Sequence, residues 1–112
     1  MDSSPGKPES NRKIADILHD HGDDLSRVRE IDHWAYFPSD EARTTFVVNC
    51  KALGMTIART MEPDEHSAQF GVMFFHVDAP NTRLMDDLTA RLIAFAQDVG
   101  GEYDGWETQI LE

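Results

Sequence analysis

Apolar positions change their spacing several times along this chain, and each change marks an element. Ile14, Ile17, Leu18 and His21 recur at helical intervals ahead of Gly22, which predicts a short amphipathic helix over residues 11–21. Across residues 27–37 the period falls to two. Ile31, His33, Ala35 and Phe37 then share one face of a strand, Glu30, Asp32, Trp34 and Tyr36 share the other, and Pro38 ends it. Ser39 is placed to cap a helix whose first turn carries Asp40 and Glu41, whose stripe is Ala42, Phe46, Cys50 and Leu53, and which Gly54 stops. Residues 55–61 alternate again, Met55, Ile57, Arg59 and Met61 against Thr56, Ala58 and Thr60. A polar loop at 62–66 follows, then a third strand over 69–77 that is apolar on both sides, Phe70, Val72 and Phe74 against Met73, Phe75 and Val77. Such a strand lies mid-sheet or needs a second cover, for which the N-terminal helix is the candidate. Leu84, Leu88, Leu92, Phe95 and Val99 predict the longest helix, stopped by Gly100-Gly101, and Glu102 to Thr108 is the last strand.

The order is one helix and then β-α-β-β-α-β, the split pattern of an α+β, ferredoxin-like sandwich with an antiparallel sheet and two helices on one face. Right-handed crossovers put the first and third strands at the centre and the second and fourth at the edges. The additional N-terminal helix is expected on an edge or on part of the open sheet face. Gly105 reads as a bulge or close-approach site. Trp106 and Asp104 are expected to extend the face made by Trp34 and Asp32.

At 112 residues the chain is one domain. Residues 1–10, with two prolines and no apolar run, read as a disordered lead, and 11–112 as the folded unit. Neither a signal peptide nor a stretch able to span a bilayer is evident, and a single cysteine, Cys50, fits a reducing cytoplasm as a buried structural thiol. Ten basic against 21 acidic residues give a net charge of −11, which disfavours nucleic-acid backbones and anionic lipid and favours basic protein surfaces. After Arg91 no Lys or Arg occurs, so the C-terminal end is acidic.

No catalytic motif stands out. His19 and His21 point apart on a helix, and His33 and His76 lie on the two central strands with Asp32 and Asp78 on the opposite strand faces, so no four-ligand metal shell assembles. Each histidine reads as a satisfied, half-buried side chain. Carboxylate pairs drawn from Glu30, Asp32, Glu102 and Asp104 are not selected one over another for hydrolysis. No Gly-rich phosphate loop, nucleophile elbow or Cys-His pair is present, and no cofactor is expected. Trp34, Tyr36 and Trp106 could stack single-stranded RNA, but their neighbours Glu30, Asp32, Asp104 and Glu107 repel phosphates. The same rings among carboxylates, with Glu102, suit a partner that brings arginines. The third alternative is that the rings pack under the N-terminal helix. An incompletely covered sheet face also allows weak homodimers beside the monomer.

Two stretches, Ile31-Asp32-His33-Trp34-Ala35-Tyr36-Phe37-Pro38-Ser39 and Gly100-Gly101-Glu102-Tyr103-Asp104-Gly105-Trp106-Glu107-Thr108, resemble the paired signatures of the RraB family, regulators of ribonuclease E activity. The Glu-Tyr-Asp-Gly-Trp core is the more specific, and the resemblance runs from Ile14 to Leu111. It implies a ferredoxin-like domain without enzymatic activity that binds the disordered, arginine-rich scaffold region of the endoribonuclease and inhibits RNA decay. The best-known members continue into a long, very acidic tail, which this sequence, ending at Glu112, does not carry. Its His-Trp stretch is that of a shorter branch.

Overall fold

The structure, a computed structural model, describes residues 8–20, 22 and 25–109. Its elements are α1 (Pro8–Asp20), β1 (Arg29–Phe37), α2 (Asp40–Ala52), β2 (Thr56–Met61), β3 (Phe70–Asp78), α3 (Thr82–Asp98) and β4 (Glu102–Thr108). The four strands form one antiparallel sheet in the order β2-β3-β1-β4, the arrangement expected of the ferredoxin-like sandwich. Helix starts follow the capping residues. The Ala42 N–H donates to Ser39 Oγ at 3.1 Å and the Leu84 N–H to Asn81 Oδ1 at 2.9 Å, each satisfying an otherwise free donor of a first helical turn.

One face of the sheet carries the core. Ala35 and Phe37 of β1 and Val72 and Phe74 of β3 pack against Phe46 and Cys50 of α2 and Leu92 and Ala96 of α3. At the other end Ile31, Met85 and Trp106 form a second cluster, joined by Ile14 of α1 and Leu84. Helix α1 therefore packs against α3 on the helix side of the sheet, not on an edge or over the open face. Ala15 and Leu18 of α1 are buried, whereas Ile17 is exposed. The helix begins at Pro8, within the span expected as a lead; residues 1–7 and His21 lie outside the described residues. On α3 the fully buried line is Met85, Thr89, Leu92 and Ala96, one position round from the leucine stripe. Leu84, Leu88, Phe95 and Val99 flank it half-buried, because α1 and α2 close on the helix from both sides.

Both edge strands carry an irregularity. In β2 the pairing shifts between Ile57 and Arg59, so Ala58 is the extra residue and the simple alternation fails. Ile57 then packs toward the core, while Thr56, Arg59 and Met61 stand opposite Phe75, Met73 and Gly71 on the other face. In β4 the shift falls between Tyr103 and Gly105, opposite Ala35 and Trp34, so Asp104 is extra. Gly105 takes φ +128°, a conformation side chains resist, which accounts for glycine at that position. Gly101 is fixed by space instead: a Cβ there would collide with the Phe37 ring and lie 2.8 Å from the Tyr36 carbonyl oxygen.

Candidate docking face

The second face of the sheet follows from the registers. Rows across it read Glu30 and Val77, then Glu107, Asp32, Phe75 and Thr56, then Gly105, Trp34, Met73 and Arg59, then Glu102, Tyr36, Gly71 and Met61. Among the described residues no helix packs on it, since α1, α2 and α3 all serve the two clusters on the opposite face. Trp34, Tyr36, Met61, Met73 and Phe75 are half-buried, and Val77 is 61% exposed. Gly71 is the low point of this surface: a Cβ there would stand 2.9 Å from Met61 Cε and 3.0 Å from Tyr36 Cε1, so those two side chains close over it.

Carboxylates line one margin. Glu30 and Asp32 are successive residues of this face on β1, and Glu107 pairs with Asp32 from β4. The Glu30 carboxyl is held above its ordinary range, first by its hydrogen bond to Asp32 and then by that group's negative charge. Asp32 Oδ1 is shielded and has no hydrogen-bond partner. Glu102 lies on the same margin opposite Tyr36. Among the described strand residues the face has a single basic side chain, Arg59, on the far edge beside Met73.

The expected set is thus brought together except for two members. Trp106 is 7% exposed, pairs with His33 and packs with Ile31 and Met85 on the helix side, so it does not extend the face of Trp34. The physical reason is the bulge: one extra residue reverses the alternation, moving Trp106 inward and Glu107 outward. Asp104, the extra residue, is exposed but faces no partner in the register. Sequence reasoning omitted Met61, Met73, Phe75 and Val77 from the site. For Met73, Phe75 and Val77 the signal was the two-sided apolar pattern of the third strand, which was assigned a cover instead, whereas Met61 joins the face through the register shift at Ala58 of β2.

Elsewhere the polar groups are structural. His33 is fully buried, its Nδ1 2.7 Å from the Tyr103 hydroxyl and its Nε2 3.2 Å from His76 Nδ1. The chain is satisfied with Tyr103 donating to His33 Nδ1 and His33 Nε2–H donating to His76, leaving His76 Nε2 without a partner, unlike the satisfied histidine expected there. Burial, then the charge of His76, lowers the His33 pKa to about 3, and burial raises that of Tyr103, keeping it a donor. Arg43, which sequence reasoning missed, is buried on α2, donates from Nη1 to the carbonyls of Met61 (3.3 Å) and Gly71 (3.2 Å), and pairs with Asp40 (2.7 Å) and Glu62 (2.9 Å). It ties the start of α2 to the ends of β2 and β3. A wide concavity of about 470 Å³ between Leu53 and the Asn81–Arg91 face of α3 lies in the helix layer, away from the sheet face. Among the described residues no cluster of three or more potential metal ligands occurs and no helix is long and apolar enough to cross a membrane.

Fold and surface together define a ferredoxin-like α+β domain whose exposed feature is an apolar, acid-edged sheet face. The family model for "Regulator of ribonuclease activity B" matches residues 8–108, nearly the whole chain. The chain belongs to that family, the RraB family, and is by that membership a regulator of ribonuclease activity. A search of curated proteins returns no match.

Proposed function

We propose that this protein is a non-enzymatic, protein-binding regulator whose open sheet face docks a basic, arginine-rich segment, as in the scaffold region of ribonuclease E, and thereby restrains RNA degradation. The observation that carries this reading is the coincidence on one uncovered face of Trp34 and Tyr36 with Glu30, Asp32, Glu102 and Glu107. Rings supply flat surface for guanidinium groups and carboxylates supply paired acceptors. Asp104 stands beside this margin on an exposed bulge, and Trp106 supports it from beneath. The net charge of −11 adds long-range attraction for a basic chain. Lone, buried Cys50 suits a cytoplasmic setting, and self-repulsion between such acidic chains favours the monomer over a weak homodimer. Calorimetric titration with the scaffold region should show binding that weakens steeply with added salt. Absence of binding at low salt would overturn the reading.

The second reading, single-stranded RNA stacked on Trp34 and Tyr36, draws on the place of those half-buried rings on the uncovered face. Against it, Arg59 is the single basic strand residue of that face among those described. Phosphates would meet the carboxylate margin.

A further inference from the structure

We propose that the docking face is a two-part site selective for a segment carrying a bulky apolar residue next to arginines, the apolar side chain seating on Trp34, Met73 and Phe75 and the arginines reaching Asp32, Glu107 and Glu30. This rests on the reading of the face as a protein-docking surface and adds what its partner must contain. A site that read charge alone would have no use for an apolar floor, yet β3 places Met73, Phe75 and Val77 in a continuous row on the face that no described helix needs. The core is complete without them, because Val72 and Phe74 supply it from the other side of the same strand. The cost of leaving such a row in water points to an occupant.

Charge and register say which occupant. Phe75 stands directly opposite Asp32, which stands directly opposite Glu107, so floor and acidic margin are neighbouring strands in the same row. Strands lie about 4.8 Å apart and an extended chain advances roughly 6.6 Å over two residues, so an arginine within one or two positions of the apolar anchor reaches the margin. Gly105, opposite Trp34, puts no side chain beside the indole. The shielded, unpartnered Asp32 Oδ1 is an acceptor at the junction of the two parts. Arg59 on the far edge repels arginines there and so orients the segment with its cations toward β4.

The test uses the full chain and two synthetic peptides with the same number of arginines, one with a central leucine and one with serine in its place. Titration calorimetry should give about tenfold tighter binding for the leucine peptide. Phe75→Ala and Met73→Ala, checked for folding by circular dichroism, should each erode that preference while leaving the serine peptide unaffected. Asp32→Asn should weaken both peptides, and Asp98→Asn, an exposed carboxylate at the end of α3, neither. Equal affinity for the two peptides, or a preference that survives both floor substitutions, would overturn the two-part site while leaving a charge-driven surface standing. Failure of both peptides to bind would remove the docking reading itself. Displacement of the leucine peptide by a single-stranded oligonucleotide would assign the floor to bases instead.

Discussion

Acidification should unfold this protein through His33 in particular. The imidazole is fully buried between Tyr103 and His76, stacks on Phe74 at 5.1 Å between ring centroids, and has its pKa lowered from 6.5 to about 3, by burial first and then by the charge of His76. Because the folded value lies below the unfolded one, the unfolded chain binds more protons between those limits. The stability held by neutral His33 is therefore complete above the unfolded value of 6.5 and is lost as pH falls from there toward about 3. At about pH 5 the loss is RT ln(1 + 10^1.5), on the order of 2 kcal/mol, a large part of the roughly 5–15 kcal/mol typical of such domains. His76, whose pKa burial lowers against the opposing charge of Asp78, acts in the same direction. Urea unfolding at about pH 7 and about pH 5, on the natural chain and on His33→Gln, separates this contribution from that of the many carboxylates. The variant should be less stable at neutral pH but lose about 2 kcal/mol less on acidification. Identical pH dependence in the two proteins, or a His33 proton resonance titrating near its ordinary value, would refute the reasoning.

Trp106→Ala should cost about 3–5 kcal/mol in a thermal melt, because the ring fills the cluster with Ile31 and Met85, whereas Trp34→Ala on the open face should leave folding within about 1 kcal/mol of the parent. Gly101→Ala should cost at least about 2 kcal/mol by the same assay, since the added methyl has no room between Phe37 and the Tyr36 carbonyl. Cys50, fully buried with its pKa raised by burial to about 12, should resist thiol reagents in the folded protein and react at once in denaturant.

The order of elements and the central place of β1 and β3 were legible in the sequence. Glycine and proline punctuate each element, and the apolar period switches between two and near four at those points. Three features were not legible, for distinct reasons. A bulge at Gly105 was expected, but not its consequence: with Asp104 as the extra residue it inverts which residues of β4 face inward, and that appears only once the strand is paired with β1. The site of α1 depends on the second cluster around Met85 and Trp106, which no local pattern announces. Arg43 reads as a surface residue by type, yet its guanidinium is buried against two carbonyls and two carboxylates. Of the candidate site, the β1 carboxylates and rings were apparent from alternation alone. The contributions of Met61, Met73 and Phe75 required the strand registers, because residues far apart in the chain become neighbours only across the sheet.

The central claim is that the open sheet face, with Trp34 at its middle, receives the basic partner. Trp106→Phe leaves Trp34 as the sole indole, and Trp34→Phe leaves Trp106, so fluorescence titration of each variant with the ribonuclease scaffold region reads one face at a time. Saturable change in the emission of Trp34, with Trp106 silent beneath the sheet, is the predicted result. A complex that forms while Trp34 emission stays unchanged, or that perturbs Trp106 instead, would contradict it.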